Sequence, residues 1–409
     1  MVFDGRLKFL VLAALSLLFF MLNACTFNGL GVVLPYMVEE LGWAWAVAGL
    51  GFTFLGLACG LSSLAPAIAI RRIGVSRTML LGGAILVVGF ACMAVARTPV
   101  LYFAGTIFLG IGFSLCGTTA GINVISHSFE RASTAIGIYF TAGGLGAVAG
   151  PLIVYGTQEI TGDWRYYWVG SAVAAVLITG FAALVTRNRA DLLASEEEQK
   201  PAVSQDGWLA RDAFRTVQYY VVVGAYTAFL LINTTVHGFA VQHLADTGMT
   251  MGGAATVMSA IALLSAAGSM GAGVAGEKIG PRELALISLS GTVLGVLALI
   301  AGGSWIAVTV AIIGLGVGFG FSYVSTANLL LDLFGKRSNL ELYSTMSLVS
   351  TAAAIGPALG GMIRDETGSF ALVFAACAAL GFLFLLALLG MRKPERPAEA
   401  MEAAPVPAE

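Results

Sequence analysis

Charged residues are scarce in this chain of 409 residues: Asp, Glu, Lys and Arg together make up 11% of it, whereas 58% of the residues are hydrophobic. The mean hydropathy of +0.89 is far above what a soluble protein of this length needs. Apolar residues form twelve runs of roughly 20 residues, the length that a helix needs to cross about 30 Å of hydrocarbon. The composition therefore predicts an all-α integral membrane protein with twelve transmembrane helices.

Clustered cysteines and nucleotide-binding motifs are also missing. The five cysteines stand singly inside apolar runs without metal-ligand spacing, so we expect them to be small packing residues. Nothing resembles a phosphate-binding loop, because the Gly-x-Gly-Phe segments at Gly110 and Gly316 lie inside apolar runs instead of after a strand. We therefore expect no enzyme activity, no catalytic residue, no metal and no cofactor.

Lys and Arg are concentrated on one side of the predicted membrane. With residue 1 inside, all of the 21 basic residues except Arg97, Arg165 and Arg364 fall in cytoplasmic segments. Because basic residues are retained on the cytoplasmic side during insertion, we predict a multi-pass protein of the inner (plasma) membrane with both termini cytoplasmic. The charges are spread over short loops as topology signals, which excludes a nucleic-acid partner.

An internal repeat organises the chain, with a constant offset of about 206 residues between its copies. The recurring motifs are Gly110-Ile-Gly112-Phe113 with Gly316-Val-Gly318-Phe319, and Gly150-Pro151 with Gly356-Pro357. The repeat predicts two pseudo-symmetric six-helix bundles at 1–186 and 214–391, a cytoplasmic linker at 187–213 and a disordered cytoplasmic tail at 392–409. Repeats of this kind are typical of transporters whose substrate site lies between related halves.

A loop motif makes the resemblance to a known family specific. The segment from Gly273 to Arg282 resembles the loop G-x-x-x-D-R/K-x-G-R/K-R/K of the major facilitator superfamily, with Glu277 in place of Asp. The resemblance implies the major facilitator fold. It also implies that Glu277 and Lys278, with Arg72 in the equivalent loop of the first half, help to hold the inner gate. In that first-half loop Arg71 stands where the family has its acidic residue.

Other motifs resemble branches of the same superfamily. Gly146-x-x-x-Gly150-Pro151 is similar to the kinked motif of drug antiporters, but Gly356-Pro357 repeats its end. We therefore interpret Gly150, Pro151, Gly356 and Pro357 as bending points of the architecture and as gating candidates. The segments at 129–132 and 162–165 look more like the monocarboxylate and oxalate–formate branch. Against that branch, Thr106 stands in the fourth helix where many members carry Arg.

Polar side chains are concentrated in the first, fourth, seventh and tenth helices, which the resemblance implies line a central cavity. Tyr226, Asn233 and His237 share one helix face because they are separated by seven and four residues. Such a stripe suits a water-filled pathway, and hydrogen bonding between helices explains it as well. The predicted substrate-binding residues are Asn23, Asn28, Thr118, Thr119, Asn123, Tyr226, Asn233, His237, Tyr323 and Asn328.

No Asp, Glu, Lys or Arg lies at predicted mid-membrane depth. A permanently charged substrate would lack a counter-ion there, so we expect a neutral or zwitterionic solute or a weak acid. His237 and Asp332 are the candidates for proton coupling, because histidine titrates near physiological pH and Asp332 is the carboxylate closest to the polar stripe. The alternative for His237 is a solvated histidine at the interface, since it lies towards the outer end of the seventh helix. The alternative for Asp332 is a simple ion pair with Lys336 at the inner mouth.

These observations favour a secondary active transporter that moves a small organic solute by alternating access. The leading hypothesis is proton-coupled transport of a monocarboxylate or related weak organic acid. Drug or metabolite efflux by antiport is the first alternative, and a non-transporting membrane sensor or a channel is the second. The expected partners are the solute, protons and the lipid bilayer, and the family resemblance implies a monomer.

Overall fold

The computed structural model describes residues 5–129, 132–187, 207–275 and 278–394, and these ranges contain helices and no strand. A 3₁₀ segment, Thr351–Ile355, lies between α15 and α16. The helices are α1 Gly5–Cys25, α2 Phe27–Leu41, α3 Trp45–Leu61, α4 Ala65–Ile73, α5 Val75–Ala94, α6 Pro99–Cys116, α7 Thr118–Ser128, α8 Ala132–Thr161, α9 Arg165–Thr186, α10 Ala210–Ala213, α11 Val217–Asp246, α12 Met251–Ala275, α13 Pro281–Ala301, α14 Trp305–Phe334, α15 Asn339–Ser350, α16 Gly356–Thr367 and α17 Ala371–Gly390. The predicted all-α fold is confirmed.

The helices combine into membrane spans of the expected number. Within the described ranges, 11 helices or helix combinations are long and apolar enough to cross a membrane, and α3 with α4 forms a twelfth span bent by 52°. The first span is α1 with α2, the fourth is α6 with α7, and the eleventh is α15, the 3₁₀ segment and α16. Six spans therefore precede the linker and six follow it.

The two ends of the bundle are distinguished by the chain termini. We call the end at which α1 begins and α17 ends the terminal face, and the opposite end the distal face. At the terminal face, Arg282 at the start of α13 donates from Nε to the carbonyl of Leu388 at 3.2 Å. Gln218 at the start of α11 donates to the carbonyl of Arg392 at 3.1 Å. These bonds fix the last helix beside its neighbours in the second half.

The end of the predicted linker packs onto the second half. The N–H of Trp208 donates to the carbonyl of Phe334 at 2.8 Å, and the two rings meet edge to face at 5.7 Å. Trp208 is buried by this contact. Residues 188–206 of the linker and 395–409 of the tail lie outside the described residues.

Two equivalent helix pairs join the halves, namely α3 with α16 and α8 with α12. Thr53 in α3 and Ser259 in α12 occupy the same position in the repeat, with the offset of about 206 residues. The hydroxyl of Thr53 accepts from the N–H of Ala358 at 3.1 Å, and the hydroxyl of Ser259 donates to the carbonyl of Val148 at 2.8 Å. Equivalent hydroxyl residues of α3 and α12 thus both bond across the interface, one as acceptor and one as donor.

Candidate functional site

The first span is interrupted at Thr26, near the middle of its length. The backbone there has φ −108° and ψ −103°, so α1 ends at Cys25 and α2 begins at Phe27. A break of this kind removes main-chain hydrogen bonds, and an unpaired carbonyl in the hydrocarbon region is unfavourable by several kcal/mol. Discontinuous helices near the midplane are common at transporter binding sites.

Side chains satisfy the carbonyls that this break releases. Asn28 donates from Nδ2 to the carbonyl of Asn23 at 2.9 Å, and the hydroxyl of Tyr167 in α9 donates to the carbonyl of Ala24 at 2.9 Å. Gly29 leaves room for this hydroxyl, since a Cβ there would overlap it. Asn23 in turn donates to the carbonyl of Phe19 at 2.9 Å. Both predicted asparagines are therefore half-buried at the break with their amide N–H groups engaged.

The fourth span has a second break at Gly117, where φ is −83° and ψ is −137°. It separates α6 from α7, and the first two residues of α7 are the predicted Thr118 and Thr119, both of which are exposed. The rings of Phe27 and Phe113, which lie beside the two breaks, meet edge to face at 5.5 Å. The structure therefore brings the two breaks together. Asn123 lies further along α7 and is half-buried.

The predicted residues of the second half form an aromatic wall on the other side. Tyr226 in α11 is buried against Tyr323 in α14, with ring centroids 6.1 Å apart, and Phe229 lies 5.3 Å from the same Tyr323 ring. Tyr323 is nevertheless 47% exposed. We interpret this exposed polar end of the wall as the border of a water-accessible space between the halves.

His237 lies on the same wall and is half-buried. Its ring stacks on Phe319 with centroids 5.8 Å apart, and its Nδ1 is 2.8 Å from the carbonyl oxygen of Asn233. Because a carbonyl oxygen only accepts, we assign the hydrogen to Nδ1, which leaves Nε2 as an acceptor in the neutral ring. Asn328 in α14 is half-buried as well.

Asp332 does not pair with Lys336, the partner that its position four residues away suggested. Its carboxylate instead binds Lys393 Nζ at 2.8 Å, beyond the end of α17. Both side chains are partly exposed at the terminal face, in the last turn of α14 and after α17. The packing of α17 against the second half brings Lys393 within reach, which a reading of α14 alone could not reveal.

The distal face is closed by contacts between the halves. The carboxylate of Asp365, at the end of α16, accepts the N–H groups of Trp45 and Ala46 at 2.8 Å each. These are free donors at the start of α3, whose own N-cap residue, Ala44, has no side-chain oxygen. Nearby, a Cβ on Gly31 of α2 would overlap the carbonyl of His237 in α11. The halves are therefore in close main-chain contact on this side.

Towards the terminal face the two halves separate. Beyond the 52° bend, α4 packs against α5, α6 and α7 of its own half, whereas α3 packs against α16 of the other half. The helices α7 and α15, which also end at this face, pack within their own halves. The halves therefore contact each other at the distal face and separate at the terminal face.

The predicted gating residues are placed as follows. α8 is one continuous helix through Pro151, and a Cβ on Gly150 would lie 2.5 Å from the carbonyl oxygen of Ala24, so this motif is a close contact between α8 and α1. Gly356 and Pro357 start α16 after the 3₁₀ segment. Arg72 and Lys278 are exposed at the terminal face, and Glu277 lies outside the described residues.

Two of the three arginines that depart from the charge distribution are neutralised by acids. Arg165 binds Glu40 at 2.7 Å, and Arg364 binds Asp246 at 2.9 Å. Glu40 and Asp246 end the first and seventh spans and are again about 206 residues apart. Sequence reasoning missed these pairs, Asp365 and Tyr167. The one signal in the sequence for the two ion pairs was that Glu40 and Asp246 occupy the same position in the two copies of the repeat.

Twelve spans in two related halves, a polar space between them and closure on one side define a membrane transporter. The model of the Major Facilitator Superfamily matches residues 16–241 and again 223–408. The chain belongs to the major facilitator superfamily. It is a transporter and not an enzyme, as predicted.

Similar proteins agree with this assignment. The uncharacterized transporter YycB of Bacillus subtilis (strain 168) is 26% identical over 339 residues, which covers 78% of this chain and 79% of that protein. The nucleoside transporter NupG is 16% identical with a TM-score of 0.77, covering 95% of this chain and 100% of that one. A POT family transporter in complex with 5-aminolevulinic acid is 15% identical with a TM-score of 0.72, covering 92% and 95%. At this identity the solved structures show the shared fold alone.

Proposed function

We propose that this transporter carries a small weak organic acid, a monocarboxylate or a close relative, together with protons by alternating access. The observation that carries the proposal is the polar content of the first, fourth and seventh spans, which bring amides, threonine hydroxyls and His237 to mid-span positions without a charged residue beside them. A weak acid that travels with a proton requires no permanent counter-ion. In the neutral ring, Nε2 of His237 is the free position for that proton.

The proposal includes the orientation in the membrane. Most of the Lys and Arg residues that the structure describes lie at the terminal face, so we assign this face to the cytoplasmic side of an inner membrane. Arg165 and Arg364, which lie at the distal face, are paired with acids and add little net charge there. The described conformation is then the inward-facing one, with the outer side closed by Asp365 and its partners. The proposed transporter works as a monomer.

The test is uptake of labelled solutes into proteoliposomes with and without an inward proton gradient. The panel contains small monocarboxylates, dicarboxylates, amino acids and one lipophilic cation. We expect gradient-stimulated uptake of a monocarboxylate by the unchanged protein, and loss of the stimulation in His237→Gln. The matched control is His243→Gln, on the same helix, whose ring is buried away from the space and is bonded to the carbonyl of Leu299 at 3.1 Å.

One observation favours the alternative of efflux by antiport. The wall formed by Tyr226, Phe229 and Tyr323 offers aromatic surfaces to the space, and such surfaces bind apolar compounds and cations. Accumulation of only the lipophilic cation, driven by the opposite gradient, would contradict the weak-acid proposal and support efflux. A conductance without coupling to any gradient would instead indicate a channel.

A further inference from the structure

The break in the fourth span leaves a helix N-terminus inside the protein. The N–H groups of Thr118, Thr119 and Ala120 follow the break at Gly117, where a ψ of −137° turns the chain out of helical geometry. No side chain caps this end of α7, which has 11 residues. The first N–H groups of a helix are free donors and carry a partial positive charge. These three donors therefore need an acceptor.

A second group beside this end also needs a partner. Tyr139 of α8 is 1% exposed, and its hydroxyl has no hydrogen-bond partner among the described residues. The ring is held by stacking on Phe19 of α1, with centroids 4.4 Å apart. Its hydroxyl is aimed at the first turn of α7, since a Cβ on Gly121 would lie 2.5 Å from it. Buried tyrosine hydroxyls usually find a partner, so this orphan donor is unusual.

Both features lie beside the break in the first span. Thr118 and Thr119 are exposed, and a Cβ on Gly143, one turn after Tyr139, would lie 3.1 Å from the amide Nδ2 of Asn23. The contact between Phe27 and Phe113 joins this region to the break in the first span. Backbone and hydroxyl donors are therefore gathered where the sequence places no Lys or Arg.

We propose that the first turn of α7 and the hydroxyl of Tyr139 bind the carboxylate group of the transported solute. This inference deepens the proposed function and rests on it. A carboxylate is an acceptor with two oxygens, and helix N-termini bind such anions without a neighbouring cation. An amide of the same shape lacks the charge and brings two competing donors. The site therefore prefers a carboxylate over the corresponding amide.

Two substitutions remove donors from this site. Thr118→Pro removes one main-chain N–H at the first helical position, where proline is well tolerated, and the threonine hydroxyl with it; Thr118→Val, which removes only the hydroxyl, gives the comparison that isolates the N–H. Tyr139→Phe removes only the hydroxyl. The matched control is Tyr102→Phe, which removes a buried hydroxyl of the same half that donates to the carbonyl of Ala48 at 2.7 Å, outside this site.

The measurement is binding of acid and amide pairs to the full chain in detergent, from propionate and propionamide to benzoate and benzamide. We expect a carboxylate to bind more tightly than its amide, and each of the two substitutions to weaken carboxylate binding about tenfold. Binding of the amide should change less than about twofold. Tyr102→Phe should leave the ratio of acid to amide affinity as it is.

The outcomes separate this inference from the proposed function. Equal binding of acid and amide, or an unchanged ratio in both variants, overturns the carboxylate site even if proteoliposomes take up a weak acid. Absence of binding and uptake for every carboxylate overturns the proposed function as well. If Thr118→Pro does not fold, Tyr139→Phe decides the question, because it changes no main-chain group.

Discussion

At the scale of single residues, the hydroxyl of Tyr167 donates to the carbonyl of Ala24, which the break of the first span deprives of its main-chain N–H partner. Its loss in Tyr167→Phe would leave the carbonyl of Ala24 buried without this partner. We expect the free energy of unfolding to fall by about 1–3 kcal/mol. The measurement is thermal unfolding in detergent, with Tyr166→Phe, which is 59% exposed, as the control. Equal melting temperatures for the two variants would show that the carbonyl of Ala24 finds another hydrogen-bond donor when the Tyr167 hydroxyl is absent.

Sequence reasoning located polar residues of the site but not their hydrogen-bond partners. Asn23 and Asn28 stood out because amides are rare in an apolar span. That their N–H groups bind carbonyls of α1 depends on a break that nothing in the local sequence marks. Tyr167 lies 143 residues from the carbonyl it binds, so only the packing of α9 on α1 reveals its role.

At the scale of helices, the approach of α2 to α11 determines how closely the distal face can shut. Gly31→Ala would place a methyl group in the space of the His237 carbonyl. Overpacking of this kind is unfavourable by about 1–3 kcal/mol, so the ratio of closed to open molecules should fall roughly tenfold. We expect a correspondingly lower rate of gradient-driven uptake in proteoliposomes.

The control for this variant is Gly156→Ala. Gly156 lies in α8, and a Cβ there would meet no atom within 4 Å. It tests whether one more methyl group in a span matters by itself. An uptake rate for Gly31→Ala that equals the rate of the control would mean that the distal contact adapts without loss.

The number of spans was predictable from the sequence, and the places where they break were not. Runs of apolar residues specify a span through hydrophobic length alone. Proline suggested bends, yet α8 continues through Pro151, while the first and fourth spans break at Thr26 and Gly117 without a proline at the break. A break forms where side chains from the same or another span bind the carbonyls that it releases, as Asn28 and Tyr167 do in the first span.

At the scale of the whole molecule, Asp365 links the halves across the closed face. Asp365→Asn removes the charge and one of two acceptor oxygens, so the contact with Trp45 and Ala46 should weaken and the distal face should open more often. The distance between spin labels on exposed Arg97 and Trp305, at distal turns of different halves, should then increase. Glu366→Gln is the neighbouring control, and an equal distance distribution in both variants would rule out Asp365 as a latch.

Sidedness gives an independent measurement of the same closure. A cysteine at exposed Thr119 should react with a membrane-impermeant maleimide from the terminal face and much more slowly from the distal face. Native cysteines are buried or half-buried and provide a low background. Combination with Asp365→Asn should raise the rate from the distal side. Equal rates from both sides in the unchanged background would contradict an opening to one face.

The carboxylate of Asp365 also sets a thermodynamic requirement for turnover. Two hydrogen bonds to this exposed carboxylate contribute about 1–2 kcal/mol together, a bias of about five- to thirtyfold towards one conformer. A solute can reverse that bias only through a difference in its affinity for the two conformers. The empty protein should therefore rest with its distal side closed. Part of the binding free energy of each solute is then used to break the hydrogen bonds between Asp365 and the start of α3.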